Sequence, residues 1–593
     1  MERKMERMIS VLVAASLLTA CSSAASGGGV VGAGTGSTVT ADCTTAAVLD
    51  VAAYRGGGTI AAGSCHIVDK ELLVDGGVLT IEAGATLQFA ADVGLVVEED
   101  GRLTVAGTAS APVMLVGKEA TPGFWKGVRL RTKGAANALQ HFTLAHAGSK
   151  AWSGASYATA SLYATSGCGA TLADCEIRDG GGHGFVAEKQ SELMISGCTF
   201  SKLAAGGYVH PEVAGNLAAD NAFTDNATNV VRVGFSSPDI ATAAAWQDIG
   251  VPWRVEASLD VRAPLTIAPG AVVEFGQDVG VRVKGEGRLT LAGTAEAPIT
   301  LTGVEAIRGY WQGIQVESRG ADNVLDHVEL AFAGSKQWTG AADSAAALRL
   351  EEGAGLALEN TVIRQSGNYA LWSDDDVLMP AFGGVRFEAN AKVAALHANA
   401  VGALTADTAF VDNDEQAVRV TPASANVLSA AATWRALAVP YAVTKETRIE
   451  AALTIEAGTQ LTFFQDAWLH VRDEGSLTAI GSAEAPIVFS SPAGEAVPGY
   501  WKGLGISTAS TANKLDHVTI RNAGSKSWYG GDDATGALRL DNGVVAITNS
   551  TIADIAGWGI DLGSKGSVTD CSGTTFSKVS GDNVKGNPAG VCM

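Results

Sequence analysis

The chain has 593 residues, a formal net charge of -21 and 47% hydrophobic residues. Such an acidic surface argues against nucleic acid as a partner and against anionic polymers held by bulk charge. Gly contributes 72 residues and Pro only 15, and strand-like segments recur between Gly, Asn and Asp. Apolar residues alternate within these segments with the strand period, which predicts short strands and turns rather than amphipathic helices.

The N-terminus has the pattern of an export signal. Basic residues precede an apolar run at 9–20 that is too short to span a bilayer. The tetrapeptide Leu-Thr-Ala-Cys, which ends at Cys21, resembles the lipobox of bacterial lipoproteins. The resemblance implies that Cys21 is lipidated and becomes the mature N-terminus. An ordinary signal peptide with a chance Cys is the alternative.

The residues after Cys21 predict the location and the tether. Ser22 rather than Asp follows Cys21, and by resemblance to enteric lipoproteins this residue implies the outer membrane, at its cell-surface or periplasmic face. Segment 1–20 is therefore predicted as a lipoprotein signal peptide. Segment 21–42 is predicted as a flexible tether because Ser, Gly, Ala, Val and Thr make up nearly all of it.

The body of the chain contains three copies of one twelve-residue motif, the His phrase. The copies are HFTLAHAGSKAW from His141, HVELAFAGSKQW from His327 and HVTIRNAGSKSW from His517, 186 and 190 residues apart. A shorter period lies inside this long repeat, since 23 residues separate Phe200 from Phe223. A period of this length, made of short strands and turns, predicts the rungs of a parallel β-helix. Three separate β-sandwiches are the alternative, but hairpin signals such as Asn-Gly are scarce.

Three further phrases carry a family resemblance: LTI at Leu79, Leu265 and Leu453; G-[FY]-W-[KQ]-G at Gly123, Gly309 and Gly499; and L-[DQ]-H at Leu139, Leu325 and Leu515. They resemble the bacterial right-handed parallel β-helix proteins of the pectin-lyase-like class, over roughly residues 60–593. The resemblance implies an all-β, elongated right-handed solenoid built from three copies of ~188 residues. The expected segments are 43–250 with an N-terminal cap, 251–438, and 439–593 with a C-terminal cap. This fold carries lyases, hydrolases, adhesins and inert stalks, so it implies no single function.

Seven Cys remain besides Cys21, in a chain predicted to be exported, where disulfides form. Two pairs of Cys that are close in sequence, one at each end of the body, are candidate disulfides. A third candidate pair is 23 residues apart. Cys168 is then left over, and sequence alone does not fix the connectivity. The candidate pairs are Cys43 with Cys65, Cys175 with Cys198, and Cys571 with Cys592.

The repeated His invites a metal site, but spacing argues against one. In a continuous coil the copies are about 40 Å apart, whereas metal ligands lie ~2 Å from the ion. No second His or Cys is shared by the copies, so we interpret His141, His327 and His517 as rung corners that satisfy backbone groups. No cofactor is predicted. A solvated face or an incidental Ca2+ contact at the acidic clusters 374–376 and 412–415 is the open alternative.

Catalysis has weaker sequence support than binding. Gly182-His183-Gly184 resembles a tripeptide of polygalacturonase-like hydrolases, but the matching places in the other copies hold Asn368 and Trp558. A glycosidase also needs two carboxylates ~5–9.5 Å apart. Acidic clusters at 374–376 and 412–415 occur in the second copy only. A polysaccharide lyase or glycoside hydrolase is therefore the alternative function.

The recurring Gly-Ser-Lys-x-Trp segments are the predicted ligand-binding sites. Exposed Trp rings would stack on sugars, and an adjacent Lys would contact hydroxyls or carboxylates. Three such sites would add avidity for a long polymer. Packing of the Trp against a rung is the alternative. The predicted function is a surface-anchored β-helix lipoprotein that binds carbohydrate or serves as envelope structure. The candidate ligand-binding residues are Lys150, Trp152, Lys336, Trp338, Lys526 and Trp528.

Overall fold

The computed structural model describes residues 43 and 46–592, apart from 133, 237, 321, 339–344, 421–425, 529–534 and 587–591. The predicted signal peptide, Cys21 and the whole tether therefore lie outside the described residues. Residues 43–593 form one compact unit. Within the described part of the chain, no helix is long and apolar enough to cross a membrane.

The body is a parallel β-helix, as predicted, because each short strand pairs in parallel with the strand one rung away. Leu79 and Ile81 lie in register with Leu103 and Val105, and all four are buried. Phe200 likewise pairs with Phe223. Inward apolar side chains thus stack into a continuous core, while alternate residues face outward.

The first part of the chain builds sheets I, II and III. Sheet I has eight strands: Ala47–Val48, Cys65–Val68, Thr86–Phe89, Val113–Gly117, Phe142–Ala145, Glu176–Arg178, Thr199–Ser201 and Ala222–Thr224. Sheet II has 14: Leu72–Val74, Gly94–Val97, Gly127–Leu130, Ala160–Ala164, His183–Ala187, Ala205–Val209, Thr228–Val233, Trp253–Val255, Val272–Phe275, Ile299–Gly303, Val328–Ala331, Val362–Arg364, Arg386–Glu388 and Ala409–Val411. Sheet III has six: Gly58–Ile60, Val78–Glu82, Arg102–Ala106, Gly134–Gln140, Cys168–Ala173 and Glu192–Ser196.

Two sheets, IV and V, begin near residue 239. Sheet IV has 14 strands: Asp239–Ile240, Leu259–Val261, Gly280–Val283, Gly313–Val316, Ala346–Leu350, Tyr369–Ser373, Lys392–Leu396, Glu415–Val420, Tyr441–Val443, Gln460–Phe463, Ile487–Ser490, Val518–Arg521, Thr551–Ile555 and Thr575–Val579. Sheet V has six: Ala244–Trp246, Pro264–Ile267, Arg288–Ala292, Val324–Asp326, Ala357–Glu359 and Phe382–Gly383.

Sheets VI and VII complete the coil. Sheet VI has seven strands: Val427–Leu428, Glu446–Ile449, Trp468–Val471, Gly503–Ile506, Gly536–Leu540, Trp558–Asp561 and Val584–Lys585. Sheet VII has six: Ala432–Trp434, Ala452–Ile455, Ser476–Ile480, Lys514–Asp516, Val544–Thr548 and Ser567–Asp570. The described helices are short: 3-10 turns at Val51–Tyr54, Ser156–Ala158, Pro211–Asn216 and Ala493–Glu495, and an α-helical turn at Ala398–Val401.

One sheet crosses each junction between sequence copies, so the core continues through both. Sheet II runs past the first junction and sheet IV past the second, while the other sheets end and new ones start. At the first junction Trp246 and Trp253 are buried with ring centroids 5.7 Å apart, and Trp434 and Tyr441 repeat the arrangement at 5.6 Å. These large rings fill the core where the sheets change over.

Equivalent strands of the sequence copies lie in different sheets. The LTI strand belongs to sheet III in the first copy, V in the second and VII in the third. The strand that opens the His phrase belongs to sheets I, II and IV in turn. A three-sided coil visits its sides in a fixed order, so each copy is turned by one side relative to the copy before it. The repeated phrases therefore lie at three different corners of the coil.

A buried Asn recurs next to the LTI-side sheets and ties three rungs together. Asn323 is 1% exposed, accepts the Leu289 N–H at 2.9 Å, and donates to Ser318 Oγ at 3.0 Å and to the Gly355 carbonyl at 2.9 Å. Asn137 and Asn513 make the matching bonds in the other copies. Each Asn satisfies backbone groups that the irregular corner leaves without ladder partners.

Candidate functional site

The Trp of the G-[FY]-W-[KQ]-G phrase is a core residue in every copy. Trp125, Trp311 and Trp501 are fully buried, and each ring stacks on a core Phe with centroids 4.0, 4.1 and 4.0 Å apart. Each indole N–H donates to a backbone carbonyl. This phrase therefore marks the packing of a corner and presents no ring to a ligand.

The prediction of exposed stacking faces on the second set of Trp rings is wrong. Trp152, Trp338 and Trp528 are only 5%, 7% and 6% exposed. The first two rings lie so close over Gly94 and Gly280 that a Cβ there would be 2.8 Å from the ring. These rings pack on the outer face of a sheet and have no free face for a sugar.

Two of the three Lys residues of the same segments make ion pairs at their corners. Lys150 Nζ lies 2.8 Å from Asp92 Oδ2, and Lys526 Nζ lies 2.6 Å from Asp466 Oδ2. Both aspartates have a positive φ, at 61° and 62°. In the described part of the chain Lys336 makes no matching pair. Because the Lys side chains of the pairs are 62% and 64% exposed, these bonds are worth little stability.

The repeated His is a corner residue paired with a carboxylate. His327 Nδ1 lies 2.8 Å from Asp326 Oδ1, and His517 Nδ1 lies 3.3 Å from Asp516 Oδ2. The first copy has Gln140 at that place. There Asp174, one rung away, lies 3.8 Å from His141 Nε2 instead.

The backbone of this His explains why it is repeated. All three copies have φ near +50°, at 47°, 50° and 49°, and their carbonyls accept an N–H from the neighbouring rung. Among the described residues no group of three His, Cys, Asp or Glu side chains is arranged to hold a metal ion. The shared backbone conformation and carbonyl bond are the features that His141, His327 and His517 have in common.

The structure forms the three candidate disulfides, Cys43–Cys65, Cys175–Cys198 and Cys571–Cys592. Among the described cysteines, Cys168 is the free thiol, and it is buried. The His of the Gly-His-Gly tripeptide is also buried: desolvation and the nearby Arg232 lower the pKa of His183 to about 4, so its ring is neutral at pH 7. It packs 5.5 Å from the ring of Tyr208.

Two acidic side chains meet on the outer face of sheet IV. Arg349 Nε lies 2.6 Å from Glu351 Oε1, and Arg349 Nη2 lies 3.2 Å from Asp374 Oδ2. The two carboxyl groups are hydrogen-bonded to each other. The guanidinium carbon also lies 3.7 Å from the centroid of the Trp372 ring. The sequence shows Asp374 within an acidic run, but its partners Arg349 and Glu351 are more than 20 residues away along the chain.

The environment of this pair separates the two pKa values. Burial, together with the hydrogen bond to Glu351, raises the pKa of Asp374 to about 7. Burial also opposes ionisation of Glu351, but bonds from Arg349 and Asp374 outweigh it and lower the pKa of Glu351. Glycosidase carboxylates stand ~5–9.5 Å apart to flank a substrate. Glu351 and Asp374 contact each other directly, so they do not form that arrangement.

An open groove of about 500 Å³ lies farther along the outer face of sheet IV. Its volume falls within the range of small-molecule sites. Arg419 lines it and makes a bidentate pair with Glu415, at 2.6 and 2.7 Å. The remaining lining is a mixture of small apolar, aromatic, hydroxyl and amide side chains: Ala417, Pro440, Ala442, Gln460, Thr462, Phe464, Ser490, Ser491, Pro492 and Ala493.

The equivalent place at the first junction is filled. There Arg254 Nη2 and Glu274 Oε2 make an ion pair at 2.7 Å across two neighbouring strands. The residues at the same register positions in the second junction are Ala442 and Thr462. Two long charged side chains of the first junction are thus short side chains in the groove lining, while the strands beneath keep the same pairing. The signal was present in the sequence, where Val-Pro-Trp-Arg-Val becomes Val-Pro-Tyr-Ala-Val.

Comparison with known proteins agrees with the fold. The family model for a pectate-lyase-like beta helix domain matches residues 427–540, which include most of the groove lining. No curated protein in the comparison matches the chain significantly. The match supports a pectate-lyase-like β-helix for this part of the chain and carries no ligand with it.

Because the Trp residues of the Gly-Ser-Lys-x-Trp segments are buried, their removal should lower the free energy of unfolding. Replacing Trp338 with Ala should cost about 3–5 kcal/mol of unfolding free energy, because it removes a large packed ring. The exposed Lys336→Ala should cost less than about 0.5 kcal/mol. Urea unfolding followed by fluorescence measures both. Equal stability of Trp338→Ala and the wild type would show that the ring does not pack as described.

The raised pKa of Asp374 predicts a pH dependence. The unfolded chain loses this proton near pH 4 and the folded chain near pH 7, so stability falls as pH rises through that window and is level above it. Asp374→Asn should remove this part of the slope. Urea midpoints between about pH 5 and pH 8 measure it. A slope that Asp374→Asn leaves unchanged would refute the assignment.

Proposed function

We propose that the chain is a surface-anchored β-helix lipoprotein that binds carbohydrate in the groove on sheet IV. The observation that carries the proposal is the groove itself, open at the second junction and filled at the first. The proposal keeps the carbohydrate ligand expected from the sequence but moves the contact away from the Gly-Ser-Lys-x-Trp segments, whose Trp rings are buried.

The lining has the mixed chemistry that sugars need. Phe464 and Pro492 offer apolar surface to the C–H face of a ring, and Thr462 and Ser490 offer hydroxyls for hydrogen bonds. The groove crosses four successive strands of sheet IV, which are ~4.8 Å apart, so it extends about 14 Å. A short stretch of polysaccharide fits such a groove better than a single small metabolite.

The enzymatic alternative has less support. A lyase or hydrolase needs acid and base groups on either side of the scissile bond. Glu415 is the one carboxylate that lines the groove among the described residues, and Arg419 occupies both its oxygens. Anchoring through a lipid on Cys21 remains part of the proposal, supported by the lipobox resemblance.

Filling the groove tests the proposal. Ala442→Arg combined with Thr462→Glu places at the second junction the ion pair that the first junction already carries, so the fold should tolerate it. We expect the wild type to be retained by at least one polysaccharide, and the filled variant to lose retention by about tenfold or more. Binding of the full-length protein to soluble and insoluble polysaccharides measures this.

The matched control opens the other junction. Arg254→Ala with Glu274→Thr changes the same two positions away from the groove on sheet IV and should bind at least as strongly as the wild type. Equal retention of the wild type and the filled variant would contradict the proposal. Release of reducing or unsaturated sugar ends during the assay would instead support the enzymatic alternative.

A further inference from the structure

Building on the proposed function, we infer that the groove takes a neutral oligosaccharide and discriminates against acidic sugars. The inference concerns the same site and depends on the charges around it. Arg419 is the one cationic side chain among the described residues that line the groove, and Glu415 is the one anionic side chain. The lining is therefore neutral as a whole.

The charge of Arg419 is already matched. Two of its nitrogens donate to the two oxygens of Glu415, at 2.6 and 2.7 Å, which is the strongest geometry that an Arg and a carboxylate adopt. The pair is also partly sheltered, since the Arg419 and Glu415 side chains are 24% and 29% exposed. A ligand carboxylate would have to displace Glu415 or lie beside it, and both arrangements cost desolvation and repulsion.

The first junction shows a different use of the same Arg. Its equivalent, Arg232, pairs at 3.1 Å with Glu256, which directly follows the next strand. At the second junction Thr444 stands at the place of Glu256, and Arg419 pairs within its own strand with Glu415 instead. The cation is thus compensated in both places, by carboxylates from different positions.

The ion pair of Arg419 and Glu415 can form hydrogen bonds with the hydroxyl groups of a neutral sugar. The guanidinium carbon of Arg419 lies 5.4 Å from the Phe464 ring and 5.9 Å from the Tyr369 ring, which hold it in place. A sugar hydroxyl both donates and accepts, so adjacent hydroxyls can donate to Glu415 and accept from Arg419 while the pair stays intact. Gln460, Ser490 and Thr462 add uncharged partners along the groove.

Titration calorimetry with matched ligands tests the inference on the full-length protein. The probes are hexasaccharides of glucose, mannose and galactose and the corresponding uronic acid hexasaccharides. We expect at least one neutral ligand to bind about tenfold or more tighter than its acidic counterpart, with little dependence on salt. Tighter binding of the acidic counterpart would overturn the inference and leave the proposed function standing. Binding of no saccharide would refute both.

A substitution at Glu415 gives a more specific test of the inference. Glu415→Gln leaves the Arg419 cation unmatched, so preference should shift by about tenfold or more toward the acidic ligand. Glu256→Gln makes the same change at the first junction and should leave the preference unaltered. Unchanged preference in a folded Glu415→Gln protein would overturn the inference. If that variant does not fold, the wild-type comparison of neutral and acidic ligands decides alone.

Discussion

Parallel stacking of rungs is the constraint on which the rest of the structure depends. Each strand makes its backbone hydrogen bonds with the rungs before and after it. Its inward side chains pack against those of the same rungs in one column of the core. A residue that fits this stack is repeated wherever its environment recurs. The buried Trp125, Trp311 and Trp501 and the corner His residues persist for that reason, because their partners are core rings and backbone carbonyls.

The same constraint explains why the most repeated sequence is not the site. Each copy is turned by one side of the coil, so the three Gly-Ser-Lys-x-Trp segments face different directions and cannot line up along one straight polymer. The places where copies differ are more informative. Arg254 and Glu274 become Ala442 and Thr462 at matching register positions, and an open groove lies over the shorter side chains while the strand pairing stays the same.

The sequence was sufficient for the fold because periodicity records the stack directly. The 23-residue spacing from Phe200 to Phe223 is one rung in register, and the candidate pair Cys175–Cys198 has the same spacing. The site was less accessible. Whether Trp152 faces solvent depends on how its segment folds back over the sheet, which spacing does not encode. The change of sheet at each junction was also hidden, since offsets of 186 and 190 residues do not reveal a repeat that ends one side past a whole number of turns.

Hydrogen exchange with a bound neutral oligosaccharide tests the central claim most directly. If the groove is the contact, the ligand should slow exchange in Glu415–Val420 and Gln460–Phe463 and around Ser490, and leave the corners that hold Lys150, Lys336 and Lys526 unchanged. Protection at those three corners, with none in the two strands of sheet IV, would contradict the account and return the binding site to the repeated segments.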